Sequence, residues 1–346
     1  MSSFSVDETL LIRALNSTRQ GYWPTYIGLR LVASQLPPSS NSYLRRSIER
    51  RLLAGDEWIF RPFDYFKGMR AGAAHIPDYR PCHAPGAFTA LAESYILYRL
   101  AGAPAFLPHW RAFSYLWPKS NKTGASYAFF AEGYKRRNRE IAAALDAPSA
   151  VAVVVDIRAF YPSADTTQLK NELRKRIRGP GGVPGPIGAA IESFYEQLLK
   201  IGPSGIPIGP SSGHVLGHLA MTGIDAELAA EYGARYFRYV DDIVIVCARE
   251  VVEVTQQKIS SCIINNGFSL NVDKSFTMSS EAWLVNVVQQ DVAGGDDFRQ
   301  FARDLSIHLA FNPGKTNDIK EKLIDAGLSI PFSRIVSCRR HLRRGR

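Results

Sequence analysis

The stretch "RYFRYVDDIVIVCA", residues 235–248, sets two adjacent carboxylates, Asp241 and Asp242, between two runs that read as β-strand. Strands rich in Val, Ile, Tyr and Phe are half or wholly buried, and an unpaired carboxylate beside an apolar interior is costly. Two local solutions exist. A tight hairpin turn keeps both aspartates in water, or a divalent cation compensates them. Taken alone, "VDD" suits the plain polar turn as well as it suits a metal site.

Upstream, "AVAVVVDIRAFYPSAD" (150–165) opens with an Ala/Val run that fits a strand buried on both faces and meets Asp156 at the strand's end. A helix, "TTQLKNELRKRI", the breaker "GPGGVPGPIG" and a second helix, "AAIESFYEQLLK", follow. The Gly/Pro/Ser loop "IGPSGIPIGPSSG" then feeds a helix of small and apolar residues that leads to the hairpin. After the hairpin come a helix, "VVEVTQQKISSCIINNG", and a strand, "FSLNVDKSFTMS", which contains Lys274. This order is a split β-α-β-β-α-β pattern, the ferredoxin-like arrangement. In such a sheet the strand of Asp156 and the hairpin are neighbours, so three carboxylates converge. Like charges that close either raise a pKa or bind a metal. Hard oxygen ligands open to solvent suit Mg²⁺, and two ions held by shared carboxylates activate a hydroxyl and neutralise a leaving pyrophosphate.

The rest of the 346-residue chain reads as an ordinary globular protein, 46% apolar. Residues 1–60 show helical spacing in "VDETLLIRALNSTRQ" and "NSYLRRSIERRLLAG"; residues 61–88 suit short strands and turns. "TALAESYILYRLAG" is a helix, residues 103–126 a loop rich in Pro, Trp and Gly, and "FFAEGYKRRNREIAAAL" another helix. No apolar run is long enough for a membrane span and the start lacks a signal-peptide pattern, so a cytoplasmic location is expected. Cys82, Cys247, Cys262 and Cys338 are scattered singly and read as reduced thiols. A net charge of +10 and basic runs at 43–51, 134–140, 169–178 and 337–346 favour a polyanionic partner, although each run alone is a solvated face or tail.

Four segments, in order, carry a family resemblance. "FRYVDDIVIV" resembles the Y-x-D-D hairpin of reverse transcriptases, and "VVVDIRAFYPS" their first palm motif. "GIPIGPSSGHVLG" is similar to their loop and helix that contact template and nucleotide, and "GFSLNVDKS" to the later palm motif with a lysine. The resemblance implies that Asp156, Asp241 and Asp242 hold two Mg²⁺ ions, Mn²⁺ being able to substitute, and that Lys274 assists pyrophosphate departure. It also implies that Tyr161, five residues after Asp156, excludes the ribose 2′-hydroxyl with Phe160 beside it, core packing being the plain reading of either ring, that Tyr239 supports the primer end, and that Arg80, with Lys67 as the weaker candidate, grips the triphosphate. Pro207 and Gly209 fall in the nucleotide loop, but Ile208 stands where the family carries glutamine, and no Leu-Gly thumb motif is recognisable. The segment "PIGPSSG" and the lead-in "FSYLWPKSNKTGASYAFFAEGY" are instead similar to bacterial abortive-infection and defence-associated reverse transcriptases.

The expected fold is α+β, a right-hand polymerase with a ferredoxin-like palm. Its parts are a helical extension (1–60), fingers (61–140), palm (141–280), and a short helical thumb with a basic tail (281–346). The implied activity is RNA-directed DNA synthesis in anti-phage defence, with an RNA template, a DNA product and dNTPs, no membrane, and a partner protein or homo-oligomer compatible. A template-independent or protein-primed terminal transferase and a catalytically idle RNA-binding scaffold remain as alternatives. His214 and His218, spaced i, i+4, have the spacing zinc uses but no third ligand, which favours packing or template contact. Asp225 reads as a capping or pairing residue after that helix, and Trp110, Trp117 and Tyr127 as small-core anchors or base-stacking rings.

Overall fold

The computed structural model describes residues 6–19, 22–35, 41–69, 77–119, 124–202 and 204–285, then 305, 308, 309 and 312–325. The chain divides into two compact units, Met1–Ser280 and Glu281–Arg346. The first unit opens with three helices, α1 (Val6–Arg19), α2 (Trp23–Gln35) and α3 (Asn41–Ala54). A hairpin of β1 (Phe60–Met69) and β2 (Pro77–Pro85) follows, where composition suggested only short strands and turns. Next come α4 (Ala87–Ala101) and α5 (Phe130–Ala144), on either side of the Pro- and Trp-rich loop.

The central sheet begins with β3 (Ala150–Asp156), as the Ala/Val run requires. Helices α6 (Phe160–Ser163), α7 (Thr166–Arg178) and α8 (Pro186–Leu198) come next, α7 starting where the Asp165 carboxylate accepts from the Thr167 and Gln168 amides. The expected helix of small residues is two, α9 (Gly213–Ala220) and α10 (Thr222–Tyr232), broken at Met221, and Asp225 lies in the first turn of α10 rather than beyond a helix. The hairpin of β4 (Tyr236–Tyr239) and β5 (Asp242–Ala248) leads to α11 (Val252–Asn265) and β6 (Phe276–Ser279). Lys274 sits in a 3₁₀ turn ahead of β6, not within a strand as expected, because Val272–Lys274 closes on itself through Ser275 N–H to the Val272 carbonyl.

All pairings in this sheet are antiparallel and its order is β4-β5-β3-β6, with the earliest strand, β3, inside. Strand alternation divides the side chains. Val151, Val153 and Val155 of β3 and Ile243, Ile245 and Cys247 of β5 enter the main apolar core with helical residues such as Leu169, Phe194 and Ile259. The opposite parity carries Asp156 and Asp242. The edge of β4 is covered by residues 111–113: Arg238 N–H donates to the Arg111 carbonyl and Phe113 N–H to the Arg238 carbonyl.

In the second unit Leu305 and Leu309 are buried with Ile319 and Leu323 packed on them, the latter two from a helix at Thr316–Asp325. Most of the expected thumb, the basic run 337–346 and Cys338 lie outside the described residues. Cys82, Cys247 and Cys262 are buried free thiols. Among the described residues no helix is long and apolar enough to cross a membrane.

Candidate active site

Register brings the carboxylates together. Antiparallel pairing sets Asp156, the last residue of β3, directly opposite Asp242, the first of β5, on the face turned away from the main core. Asp241 precedes it in the turn, and one carboxylate oxygen from each of the three lies within 4.8 Å of the others. Like charges directly opposite on a sheet repel. Burial first, and then the charge of Asp242, push the Asp241 carboxyl up to about 6. Burial also raises Asp242, against the pull of the Arg137 guanidinium. Three hard oxygen donors, partly buried and short of positive charge, are the donor set of a divalent cation site.

Two groups steady Asp156. The Asn271 amide donates to its Oδ2 at 2.7 Å while the Asn271 backbone N–H donates to the Asp156 carbonyl, so the segment before β6 is tied to the end of β3. The Lys274 ammonium stands 3.6 Å from the same Oδ2 and is 68% exposed, free to meet an anion arriving from solvent. Arg137, from the basic run of α5, turns inward instead of facing water; it is buried with its guanidinium over the rings of Tyr134 and Tyr239.

Tyr239 pairs with Asp242, leaving Val240 and Asp241 as a two-residue hairpin loop. Such loops need positive φ at the first central residue, and Val240 has φ 58°, a conformation a β-branched side chain resists. Among the described residues two other non-glycine positions share that region, Tyr115 and Ala159. Ala159 follows Asp156 in the turn to α6, and Tyr115 follows Ser114, whose hydroxyl accepts from the Val240 N–H. Backbone strain therefore gathers around the acidic cluster.

Tyr161 forms one wall. Its hydroxyl bonds to Nδ1 of His214 at 2.9 Å, and the His214 ring stacks on Tyr115 with centroids 3.4 Å apart. Burial pushes His214 down to about 3, and His218 likewise; His214 lies against Tyr161 and Tyr115, and Nδ1 of His218 stands 3.3 Å from a terminal nitrogen of Arg238. Phe160, the other candidate for substrate contact, is 2% exposed and packs against Phe268 and Tyr161. Tyr239 donates to the Phe130 carbonyl. Arg80 is exposed on β2 and close enough for its charge to bear on the Tyr161 phenol. Lys67 pairs with Asp78 across the β1–β2 hairpin at 3.1 Å.

The Pro207–Gly209 loop docks on the same hairpin. His83 N–H donates to the Ile208 carbonyl at 2.7 Å, Pro207 is buried, and Gly209 has φ 116° with its Cα against the His83 carbonyl. The next helix is anchored by Glu93 of α4, which accepts from the Ser212 amide and hydroxyl; burial lifts this carboxyl to about 7.

Sequence reasoning missed Asn271, Arg137, the tie between His214 and Tyr161, and the pairing of Arg238 with Asp225. Only the last left a signal: Arg238 occupies the same strand parity as Tyr236, so a core-facing guanidinium needed a buried anion.

No protein-family model matches the chain, and no curated protein matches it. Among solved structures it is similar to apo telomerase from Candida tropicalis, with 12% identity and a TM-score of 0.37 over 71% of this chain and 50% of that one. The chain thus spans half the length of that protein. A likeness at this level assigns neither fold nor activity.

Proposed function

We propose that the chain is an RNA-directed DNA polymerase that adds dNTPs to a 3′-hydroxyl. The observation that carries this reading is the convergence of Asp156, Asp241 and Asp242 from two separate segments. The strand order β4-β5-β3-β6 supports a ferredoxin-like palm, because it is the order a split β-α-β-β-α-β chain adopts. The four ordered segments that resemble reverse transcriptases supply the substrate class.

In this reading Asp156, Asp241 and Asp242 would hold Mg²⁺ or Mn²⁺, two ions in all. Bound there, such ions lower the pKa of an attacking hydroxyl and stabilise charge on the transferring phosphate. Asn271 keeps the Asp156 carboxylate directed at the cluster, and Lys274 places an exposed positive charge beside it for the departing pyrophosphate. Tyr161, fixed by His214, presents a rigid ring where a sugar would pass, and Arg80 supplies a guanidinium on the same side for a triphosphate. An RNA template and a DNA product are the partners. Anti-phage defence rests on the family resemblance alone.

One observation favours a second reading, template-independent transfer. Ile208 has an apolar side chain where an amide would contact template or nucleotide, and its carbonyl is taken by His83. Sequencing the product made by the purified protein, with and without RNase pretreatment, separates the two. Loss of product after RNase, with a defined sequence before it, is expected for the polymerase; RNase-resistant, low-complexity DNA would assign the transferase instead.

A further inference from the structure

Alternation along β4 sends Tyr236 and Arg238 to the core face, opposite Ile245 and Ile243. The Arg238 side chain is 1% exposed, and a guanidinium so placed requires an anion. Asp225 of α10 supplies it. Nε of Arg238 donates to Oδ1 at 2.6 Å and one terminal nitrogen to Oδ2 at 2.7 Å, while the Tyr236 hydroxyl donates to Oδ1. With the fork fixed, the other terminal nitrogen donates to the Val240 carbonyl at 3.0 Å. Ser114 Oγ accepts the Val240 N–H from the other side. Side chains thus hold both polar backbone groups of the one hairpin residue whose φ opposes its own side chain.

We infer that Arg238 and Asp225 are positioning residues for the acidic site: they clamp the strained turn so that Asp241 and Asp242 face Asp156, and thereby set its affinity for a divalent cation. The inference rests on reading the three aspartates as a metal centre. Neither residue is one of the three carboxylates, so each acts only through the turn. Val240 needs the clamp because its branched side chain disfavours positive φ; a glycine there would not.

Removing Arg238 alone strands the Asp225 charge in the interior, which threatens the fold. The informative variant therefore removes both charges, Asp225→Leu with Arg238→Met. A second, Arg238→Lys, keeps a charge on Asp225 but loses the fork that reaches Val240. Mn²⁺ binding to the full chain is read by electron paramagnetic resonance, with thermal midpoints recorded in parallel. Both variants are expected to weaken Mn²⁺ binding about tenfold or more, the range seen when groups that orient metal ligands are lost. Adding Val240→Gly is expected to recover most of that loss without raising the midpoint. Mn²⁺ binding at wild-type strength in either folded variant, or a loss that Val240→Gly leaves unchanged, would overturn the clamp.

Should wild type and Asp241→Asn take up Mn²⁺ alike, the metal-centre reading fails instead. Amide hydrogen exchange across residues 238–242 then decides the clamp by itself. Exchange at least about tenfold faster in Arg238→Lys sustains a clamped turn, and unchanged exchange sinks it.

Discussion

At Asp241, burial and the adjacent Asp242 charge hold the carboxyl near 6, above its ordinary 3.8. A raised carboxyl means that the folded protein binds the proton more tightly than the unfolded chain. Its stabilising contribution is complete below about pH 4 and is lost as pH rises through about 6. The metal-free protein should therefore lose stability over that interval, and Asp241→Asn should flatten the slope, as denaturant midpoints measured at a series of pH values will test. A cation competes with that proton, so Mn²⁺ affinity should rise across the same interval. At this scale the acidic triplet was legible because carboxylates interrupting apolar strands demand compensation. Asn271 and Arg137 were not, since an asparagine in a loop and an arginine in a basic run look like solvated residues until the chain folds over them.

The β1–β2 hairpin and the Pro207–Gly209 loop act as one element. The His83 to Ile208 bond joins them, and Gly209 permits it because a Cβ at that position would press into the His83 carbonyl. Gly209 also sits at φ 116°, which side chains rarely adopt. Gly209→Ala is expected to cost about 2 kcal/mol or more in a denaturant titration, whereas a change below about 0.5 kcal/mol would mean that the loop does not depend on this approach. Strand periodicity made β3, β4 and β5 readable, and the Ala/Val run of β3 is buried as composition required. The break at Met221 and the 3₁₀ turn at Lys274 were hidden: Gly223 lies inside α10 rather than at the break, and the Lys274 turn closes on a local bond from Ser275 N–H to the Val272 carbonyl within a segment that reads as strand. The length of the first hairpin was hidden too. Its strands carry Pro, Gly and charged residues on an exposed two-stranded ribbon, without the alternation that a buried face imposes.

Across the first unit, one sheet collects a carboxylate from β3 and two from the β4–β5 hairpin, and its helices press the other face into a continuous core. All three described non-glycine residues with positive φ lie beside that collection, so the left-handed backbone that side chains resist gathers where the site is. The net charge of +10 suits a polyanionic partner, and within that basic chain the acidic cluster supplies the donor set of a candidate metal-binding catalytic site. Order and spacing in the sequence located the strands that carry the three carboxylates, while the clamp beneath the turn needed the register of β4 against β5.

The most direct measurement is incorporation of labelled dNTPs in Mg²⁺ by the purified protein beside Asp241→Asn, with circular dichroism showing that both are folded. Incorporation by the wild type that falls about a hundredfold or more in the variant is the expected result. Equal incorporation by the two proteins, or none by the wild type supplied with RNA template and primer, would contradict a metal-dependent nucleotidyl transfer centre at Asp156, Asp241 and Asp242.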